Sequence, residues 1–126
     1  MFEEKRMTAK IISLDGPPAA RPVHEMEAVY DDGSLRVEHE NYYVACGGEP
    51  LKLPRTEFLI ISRLTRNPER IVPSEVLWRF AWNDGKPFNA ESLHVHIYRL
   101  RNKLEPYGVK IETMVNVGYR LVPAKR

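Results

Sequence analysis

The chain has 126 residues, of which 43% are hydrophobic and 29% are charged, and its formal net charge at pH 7 is +2. This balance suits one folded domain with a tail, and the single cysteine, Cys46, excludes an intramolecular disulfide. No apolar run reaches the roughly 18 residues of a membrane helix. The N-terminus contains acidic residues and lacks the apolar core of a secretory signal, so we expect a cytoplasmic protein.

Residues 1–27 differ in composition from the rest of the chain. Three prolines lie between Asp15 and Pro22, and proline removes a backbone donor and restricts the residue before it. We interpret this stretch as a flexible tail or linker, in which only Lys10–Leu14 is apolar enough to form a short strand. Residues 28–126 are then the folded domain.

The beginning of this domain is predicted to be a four-stranded antiparallel sheet. Turn-forming residues recur at short intervals, at Asp31–Ser34, Glu40–Asn41 and Gly47–Gly48. They separate short apolar runs. The predicted strands are Ala28–Tyr30, Leu35–Glu38, Tyr42–Cys46 and Pro50–Leu53.

Helical periodicity replaces the strand pattern from residue 55 onward. A first helix is predicted over 55–66 and is ended by Asn67–Pro68. A second helix is predicted over Ser74–Trp82, because Pro73 is tolerated at a helix start. In this helix Trp78 is expected in the core, while Trp82 borders the loop that follows.

A third helix is predicted over Ala90–Glu105, with Asn89 as its N-cap and Pro106 as its stop. Its apolar residues recur at intervals of four, three and four, which places them within about 60° of one another on one face. This predicted core stripe consists of Leu93, Ile97, Leu100 and Leu104.

The chain ends in a predicted hairpin and carries its excess of positive charge there. Strands are predicted at Lys110–Val115 and Tyr119–Val122, joined by Asn116–Gly118, since Asn and Gly tolerate the positive φ of tight hairpins. Residues 90–126 contain seven basic and three acidic residues, a net charge of +4 that favours a polyanionic partner. The predicted fold class is α+β: a winged helix-turn-helix with an N-terminal four-stranded sheet, three helices and a C-terminal hairpin wing.

Seven short motifs occur in an order that resembles one family. They are Glu49–Leu53, Thr56–Phe58, Asn67–Arg70, Val95–Ile97, Arg99–Arg101, Leu104–Pro106 and Gly118–Arg120. Over about residues 28–122 the chain resembles the C-terminal effector domain of OmpR/PhoB-type response regulators. The resemblance implies sequence-specific binding of double-stranded DNA, with the third helix in the major groove and the wing at the adjacent minor groove. It also implies that the loop Trp82–Asn89 contacts RNA polymerase in activators.

The resemblance has gaps. The family usually carries a receiver domain ahead of this unit, whereas 27 residues precede it here, so we expect a stand-alone transcriptional regulator. The family often has an arginine at the positions of Glu91 and Tyr98, an acidic residue at His94, and Arg-Gly at Val115–Asn116. The target sequence is therefore expected to be atypical. Association with the nucleoid and a homodimer on DNA are further expectations.

Eight residues are predicted to contact DNA. On the third helix, Val95 would meet a thymine methyl group and Tyr98 a base or phosphate, while Arg99 would meet a base edge or phosphate. The eight are Val95, His96, Tyr98, Arg99, Arg101, Asn102, Thr113 and Arg120. Phosphate contacts are expected for Arg101 and Thr113; the resemblance implies a phosphate contact for His96 and a minor-groove contact for Arg120.

Each of these residues also has a plainer interpretation. Arg99 and Arg101 could instead form salt bridges on the surface. His96 lies at the edge of the core stripe, where a half-buried structural imidazole is common. Glu91 would either accept a hydrogen bond from a cytosine amino group or simply repel phosphates.

Besides DNA binding, the sequence bears on two other classes of function, catalysis and protein interaction. No arrangement typical of an enzyme is present, and Cys46 is interpreted as a structural cysteine at a strand end rather than a nucleophile. His94 and His96 point about 200° apart on a helix and cannot share a metal, so neither metal nor cofactor is expected. The alternative function is a protein-interaction module, because Glu91, Val95 and Tyr98 make the third helix less basic than DNA binding favours.

Overall fold

The computed structural model describes residues 28–124, so the tail, the predicted strand at Lys10–Leu14 and the last two residues lie outside the described range. Within that range, seven strands and three α-helices follow one another. In chain order they are β1 (Val29–Asp31), β2 (Leu35–Glu38), β3 (Tyr43–Cys46), β4 (Glu49–Pro50), α1 (Arg55–Thr65), β5 (Val72–Pro73), α2 (Ser74–Ala81), α3 (Ala90–Leu104), β6 (Lys110–Met114) and β7 (Gly118–Val122). The predicted fold class is confirmed.

The N-terminal sheet has the predicted four antiparallel strands in the order β1-β2-β3-β4. Its last strand is shorter and begins earlier than predicted. Gly47 and Gly48, at φ 57° and 84°, form a two-residue turn, so Cys46 pairs directly with Glu49. Leu51 and Leu53, which were predicted to continue this strand, instead pack against the core beneath the sheet.

The three helices match their predicted ranges to within one residue. At the start of α3, the Asn89 side chain accepts a hydrogen bond from the Ser92 backbone N–H at 2.9 Å, as expected of an N-cap. A short 3₁₀ helix, Glu105–Tyr107, follows α3, and Gly108 ends it at φ 79°. The predicted stripe on α3 is core, because each of its four side chains is at most 1% exposed.

The wing, defined as β6, β7 and the turn between them, belongs to a three-stranded sheet in the order β5-β7-β6. Strand β5 was not predicted, because two residues that include a proline have no periodic pattern. Its residues Val72 and Pro73 pair with Tyr119 and Gly118, which lie more than forty residues later in the chain. This pairing attaches the wing to the start of α2.

The turn of the wing needs its two special residues for different reasons. Asn116 has φ 65°, as expected for a tight hairpin. The expectation that Gly118 supplies a second positive φ is wrong, since its φ is not positive. A Cβ atom at Gly118 would instead lie 2.0 Å from the carbonyl oxygen of Val72. Glycine is required there because β5 approaches β7 closely.

An ion pair with a buried carboxylate links α1 and α3. The Glu57 carboxylate on α1, whose side chain is 3% exposed, accepts a hydrogen bond at 2.7 Å from the Lys103 ammonium on α3, whose side chain is 38% exposed. Removing Lys103 would leave the Glu57 charge uncompensated in the core. The pair therefore holds the orientation of α3 relative to α1.

A buried histidine joins the N-terminal sheet to α1. His39 is 6% exposed, and its Nδ1 atom lies 2.7 Å from the hydroxyl oxygen of Ser62. Burial, with a smaller contribution from the positive charge of Arg66, lowers the pKa of His39 to about 4. The imidazole is therefore neutral in the folded domain at physiological pH.

This histidine should make the free energy of unfolding fall as the pH is lowered. An unfolded chain binds a proton at His39 near pH 6.5, whereas the folded domain does so only near pH 4, so the unfolded state binds more protons between these values. The contribution of His39 to the free energy of unfolding is fully present above pH 6.5. We expect this free energy to fall by about 2 kcal/mol between pH 7 and pH 5. Urea unfolding at both pH values measures it. The variant His39→Gln should lose most of this dependence, and an unchanged dependence would contradict the assignment.

Candidate nucleic-acid interface

The side of α3 opposite the core stripe forms one continuous exposed surface, here called the outward face. Val95 is 43% exposed and Tyr98 is 59% exposed, although both are large and partly or wholly apolar. At 100° per residue the members of this face span about 140° of the helix circumference. They are Glu91, His94, Val95, Tyr98, Arg99 and Asn102.

None of these side chains forms a hydrogen bond or an ion pair with any other residue between positions 28 and 124. An exposed arginine on a helix surface commonly pairs with an acidic side chain three or four residues away, and Arg99 does not. Within the described domain, the outward face is thus available in full to a ligand. The structure places four of the eight predicted contact residues here: Val95, Tyr98, Arg99 and Asn102.

His96 lies on one flank of the outward face rather than on it. Its Nδ1 atom is 2.8 Å from the backbone carbonyl oxygen of Ser92, and its ring contacts the Trp82 ring edge-on at 5.1 Å. A carbonyl oxygen only accepts, so Nδ1 carries the proton and Nε2 is the atom left for a ligand. His94 lies on the outward face, about 160° around the helix from His96. No group of three metal-ligating side chains occurs between residues 28 and 124.

Arg101 lies on the other flank, about 160° around the helix from Arg99. Its Nε atom donates to the backbone carbonyl oxygen of Ile111 at 2.7 Å, and its Nη2 atom donates to the Thr113 hydroxyl at 2.6 Å. The guanidinium carbon is 6.0 Å from the centre of the Tyr119 ring. Two predicted phosphate contacts, Arg101 and Thr113, are therefore bonded to each other across the junction of α3 and β6.

Arg120 is held within the wing. It stands opposite Glu112 in the β6–β7 register, and its Nε and Nη2 atoms both bond to one oxygen of that carboxylate, at 2.8 and 2.7 Å. Since side chains alternate along a strand, this pair lies on the face of the wing opposite Thr113. The turn itself presents apolar side chains, with Val115 78% and Val117 53% exposed.

The loop between α2 and α3 is built on stacked aromatic rings. Trp78 stacks on Trp82 with ring centres 3.9 Å apart, and its indole N–H donates to the Lys86 carbonyl oxygen at 2.8 Å. Phe88 contacts Trp78 edge-on and remains 40% exposed. Trp78 is core, as expected, while Trp82 is half-buried, and together they hold the loop Trp82–Asn89 in a defined position.

Cys46 is fully buried, and burial raises the pKa of its thiol to about 11. The thiolate, which is the reactive form of cysteine, is thus scarce at neutral pH.

No helix between residues 28 and 124 combines the length and the apolar character required to cross a membrane.

Several functional residues could not be identified from sequence patterns. The buried Glu57 lies within a motif that marks the start of α1, but nothing local indicates that Lys103 is its partner 46 residues away. Glu112 appeared only as one of three acidic residues in a basic segment. Its pairing with Arg120 follows from the hairpin register, which places the two residues opposite each other.

Comparison with known proteins places this geometry in a family. The family model described as "transcriptional regulatory protein, C terminal" matches residues 48–121. The phosphate regulon transcriptional regulatory protein PhoB of Escherichia coli is 31% identical over 124 residues, covering 94% of this chain and 52% of PhoB. The sensory transduction protein RegX3 of Mycolicibacterium smegmatis is 32% identical over 98 residues, 75% of this chain and 43% of RegX3. The chain thus spans about half the length of these relatives.

Solved structures agree with the sequence comparison. The response regulator DrrB of Thermotoga maritima, an OmpR/PhoB homologue, has a TM-score of 0.66 and 28% identity, over 79% of this chain and 48% of DrrB. The RstA DNA-binding domain of Klebsiella pneumoniae, solved in complex with the RstA box, has a TM-score of 0.64 and 28% identity, over 75% of this chain and 97% of that domain. The family is a class of regulatory domains, not of enzymes. The chain therefore belongs to the C-terminal domains of transcriptional regulatory proteins of the OmpR/PhoB type.

Proposed function

We propose that this domain binds double-stranded DNA in a sequence-specific manner and regulates transcription, with α3 in the major groove and the wing beside the adjacent minor groove. The observation that carries the proposal is the outward face of α3, which is exposed and free of bonds to the rest of the described domain. The major groove is about 12 Å wide and admits one α-helix. The solved complex of the RstA domain with the RstA box supports the same use of this fold.

The chemistry of the outward face suggests which contacts read bases. Val95 offers an apolar surface that complements the methyl group of thymine, the apolar group that a base pair presents in the major groove. Tyr98 and Asn102 offer hydrogen-bonding groups, and Arg99 offers a planar donor fork for guanine or phosphate. Glu91, nearest the start of α3, would lie close to phosphates and limit non-specific binding.

Selection of bound sequences from a pool of random duplexes is the test. An enriched motif would support the proposal, and two copies of it at a fixed spacing would show that two domains bind one site. The variants Val95→Ala and Tyr98→Ala should then relax the preference at one or two base pairs, by about 1–3 kcal/mol per lost contact. Failure to enrich any motif would favour the protein-interaction module instead.

We propose that His96 contacts a phosphate through Nε2. The bond from Nδ1 to the Ser92 carbonyl oxygen leaves Nε2 as the ring nitrogen available to DNA. The variant His96→Gln should therefore lower the affinity for the selected duplex, which fluorescence anisotropy measures.

The variant His94→Gln is the matched control, because His94 is exposed on the outward face and lacks a hydrogen-bond partner among residues 28–124. If His96→Gln binds DNA as tightly as the wild type, His96 has a structural role and does not contact DNA.

We propose that Arg120 contributes less than Arg99 to the affinity for DNA. To reach a minor groove or a phosphate, the Arg120 guanidinium must give up two bonds to Glu112, whereas Arg99 gives up none to any residue between 28 and 124. Arg120→Ala should therefore lower the affinity by about threefold. Glu112→Gln should raise it by a similar factor, since it frees Arg120 and removes a negative charge beside DNA.

Measuring both variants on duplexes that differ only in the flanks locates the contact. A minor-groove arginine gains most where the groove is narrow, so its loss should be larger on A·T-rich than on G·C-rich flanks. Equal losses on both flanks would assign Arg120 to phosphate. Unchanged affinity in both Arg120→Ala and Glu112→Gln would place this face of the wing away from DNA.

We further propose that the loop Trp82–Asn89 contacts RNA polymerase. The supporting observation is Phe88, a large apolar side chain that is 40% exposed in a loop held in place by Trp78. Phe88→Ser should lower transcription activated from a selected site while leaving DNA affinity unchanged. If Phe88→Ser lowers transcription and DNA affinity equally, the loop takes part in DNA binding. If it lowers neither, the loop is not part of the functional surface.

A further inference from the structure

Arg101 forms hydrogen bonds across the junction between α3 and the wing. It is half-buried, and its guanidinium donates to two acceptors on β6 that are two residues apart, the Ile111 carbonyl and the Thr113 hydroxyl. β6 is the edge strand of its three-stranded sheet, so it has no neighbouring strand on the side of α3. At that edge, Arg101 thus supplies to the Ile111 carbonyl a hydrogen bond that a further strand would otherwise supply, and it adds a second bond to the Thr113 side chain.

The chemistry of arginine suits this position. The guanidinium is planar and carries several donors in a fixed geometry, so two bonds made at once set both the distance and the orientation of β6 relative to α3. Lysine presents its donors from a single atom on a flexible stem and cannot reproduce both bonds together. The aromatic ring of Tyr119, 6.0 Å from the guanidinium carbon, adds a cation–π contact that further restricts the arginine.

The bond to Thr113 also orients a hydroxyl group. Because the Thr113 oxygen accepts from Nη2 of Arg101, its own proton is directed elsewhere, and Thr113 is exposed. A phosphate at the wing would accept that proton. Arg101 therefore acts on DNA through Thr113 and through the placement of the wing, since its two bonds hold the guanidinium against β6.

We infer that Arg101 is a positioning residue for DNA binding, which fixes the wing against the recognition helix and orients Thr113, and that it is not itself a phosphate contact. This inference rests on the proposed DNA binding. It differs from the phosphate contact that the basic pattern of α3 predicts for Arg101. It also separates Arg101 from Arg99, two residues earlier, which has no bond to the described domain.

The test compares Arg101→Met with the matched control Arg99→Met on two duplexes. One duplex contains only the selected core motif, and the other is extended by about five base pairs, half a helical turn, at each end so that the wing has DNA to contact. The wild-type domain should bind the extended duplex more tightly. Affinities are measured at several salt concentrations, and melting curves show that each variant is folded.

For Arg101→Met we expect a loss of about tenfold on the extended duplex and of at most about twofold on the core duplex, with the salt dependence on the core duplex unchanged. For Arg99→Met we expect losses of similar size on both duplexes. Amide hydrogen exchange of β6 in the free domain should be faster in Arg101→Met than in the wild type or Arg99→Met, because the wing edge has lost its donors. Arg101→Lys should resemble Arg101→Met in both measurements.

Three results would overturn the inference. If Arg101→Met loses equal affinity on the two duplexes, and its slope of log K against log salt concentration is smaller in magnitude by about one, Arg101 contacts a phosphate. Recovery by Arg101→Lys would show that charge alone matters. Unchanged exchange of β6 in a folded Arg101→Met would show that the arginine does not hold the wing. A wild-type domain that selects no DNA sequence refutes the proposed function, whereas the exchange measurement still tests the junction without DNA.

Discussion

Replacing Arg99 with alanine is expected to lower the affinity for the selected duplex by about tenfold or more. The side chain is exposed on the outward face, and between residues 28 and 124 it has neither a hydrogen bond nor an ion pair that would have to break on binding. Its full interaction with DNA therefore counts toward affinity. The same exposure predicts that the melting temperature of the free domain is unchanged.

The salt dependence of binding distinguishes the two contacts open to Arg99. If the domain neutralises four to eight phosphates, the slope of log K against log salt concentration is roughly −4 to −7. Loss of a phosphate contact in Arg99→Ala would reduce the magnitude of that slope by about one, while loss of a guanine contact would leave it and relax the preference at one base pair. An affinity equal to that of the wild type would exclude α3 as the recognition helix.

Gly118→Ala is expected to destabilise the domain by roughly 3 kcal/mol, the largest effect on stability predicted here. A Cβ atom at this position would lie 2.0 Å from the Val72 carbonyl oxygen and 2.8 Å from the Cα atom of Pro73. Both are backbone atoms, which cannot move aside as a flexible side chain can. Relief requires β5 to separate from β7, which breaks the attachment of the wing to α2.

The measurement is thermal unfolding, where we expect a decrease of more than about 10 °C in the melting temperature. Gly85→Ala is the control, because Gly85 has φ 82° but no atom within 4 Å of the added Cβ. That substitution carries only the backbone penalty of about 1 kcal/mol. A Gly118→Ala domain as stable as the control would show that β5 and β7 are not paired in solution.

Local patterns predicted the helices and most strands because the interactions that form them are local. The hydrogen bonds of α1, α2 and α3 join residues four apart, and the cap on α3 joins Asn89 to Ser92. The buried stripe of α3 and the outward face follow from the same periodicity. That periodicity alone brings four predicted contact residues, Val95, Tyr98, Arg99 and Asn102, onto one surface of α3.

Interactions between distant segments could not be read in this way. The strand β5 has no pattern of its own and exists because Val72 finds a partner at Tyr119. The need for glycine at 118 arises from that pairing rather than from the turn in which Gly118 was expected to act. A hairpin and a close approach between strands both favour glycine, and the sequence alone does not distinguish them.

By itself the sequence determined the fold class, the three helices and the excess of basic residues between positions 90 and 126, since these depend on residue type and short-range spacing. Only the tertiary structure decided which of those basic side chains are free to bind a ligand and which are bonded within the domain. Lys103 is bonded to Glu57, Arg101 to β6, and Arg120 to Glu112, while Arg99 is unbonded within residues 28–124. A charge is counted from the sequence, but its availability depends on whether folding brings an acceptor within about 3 Å of its donors.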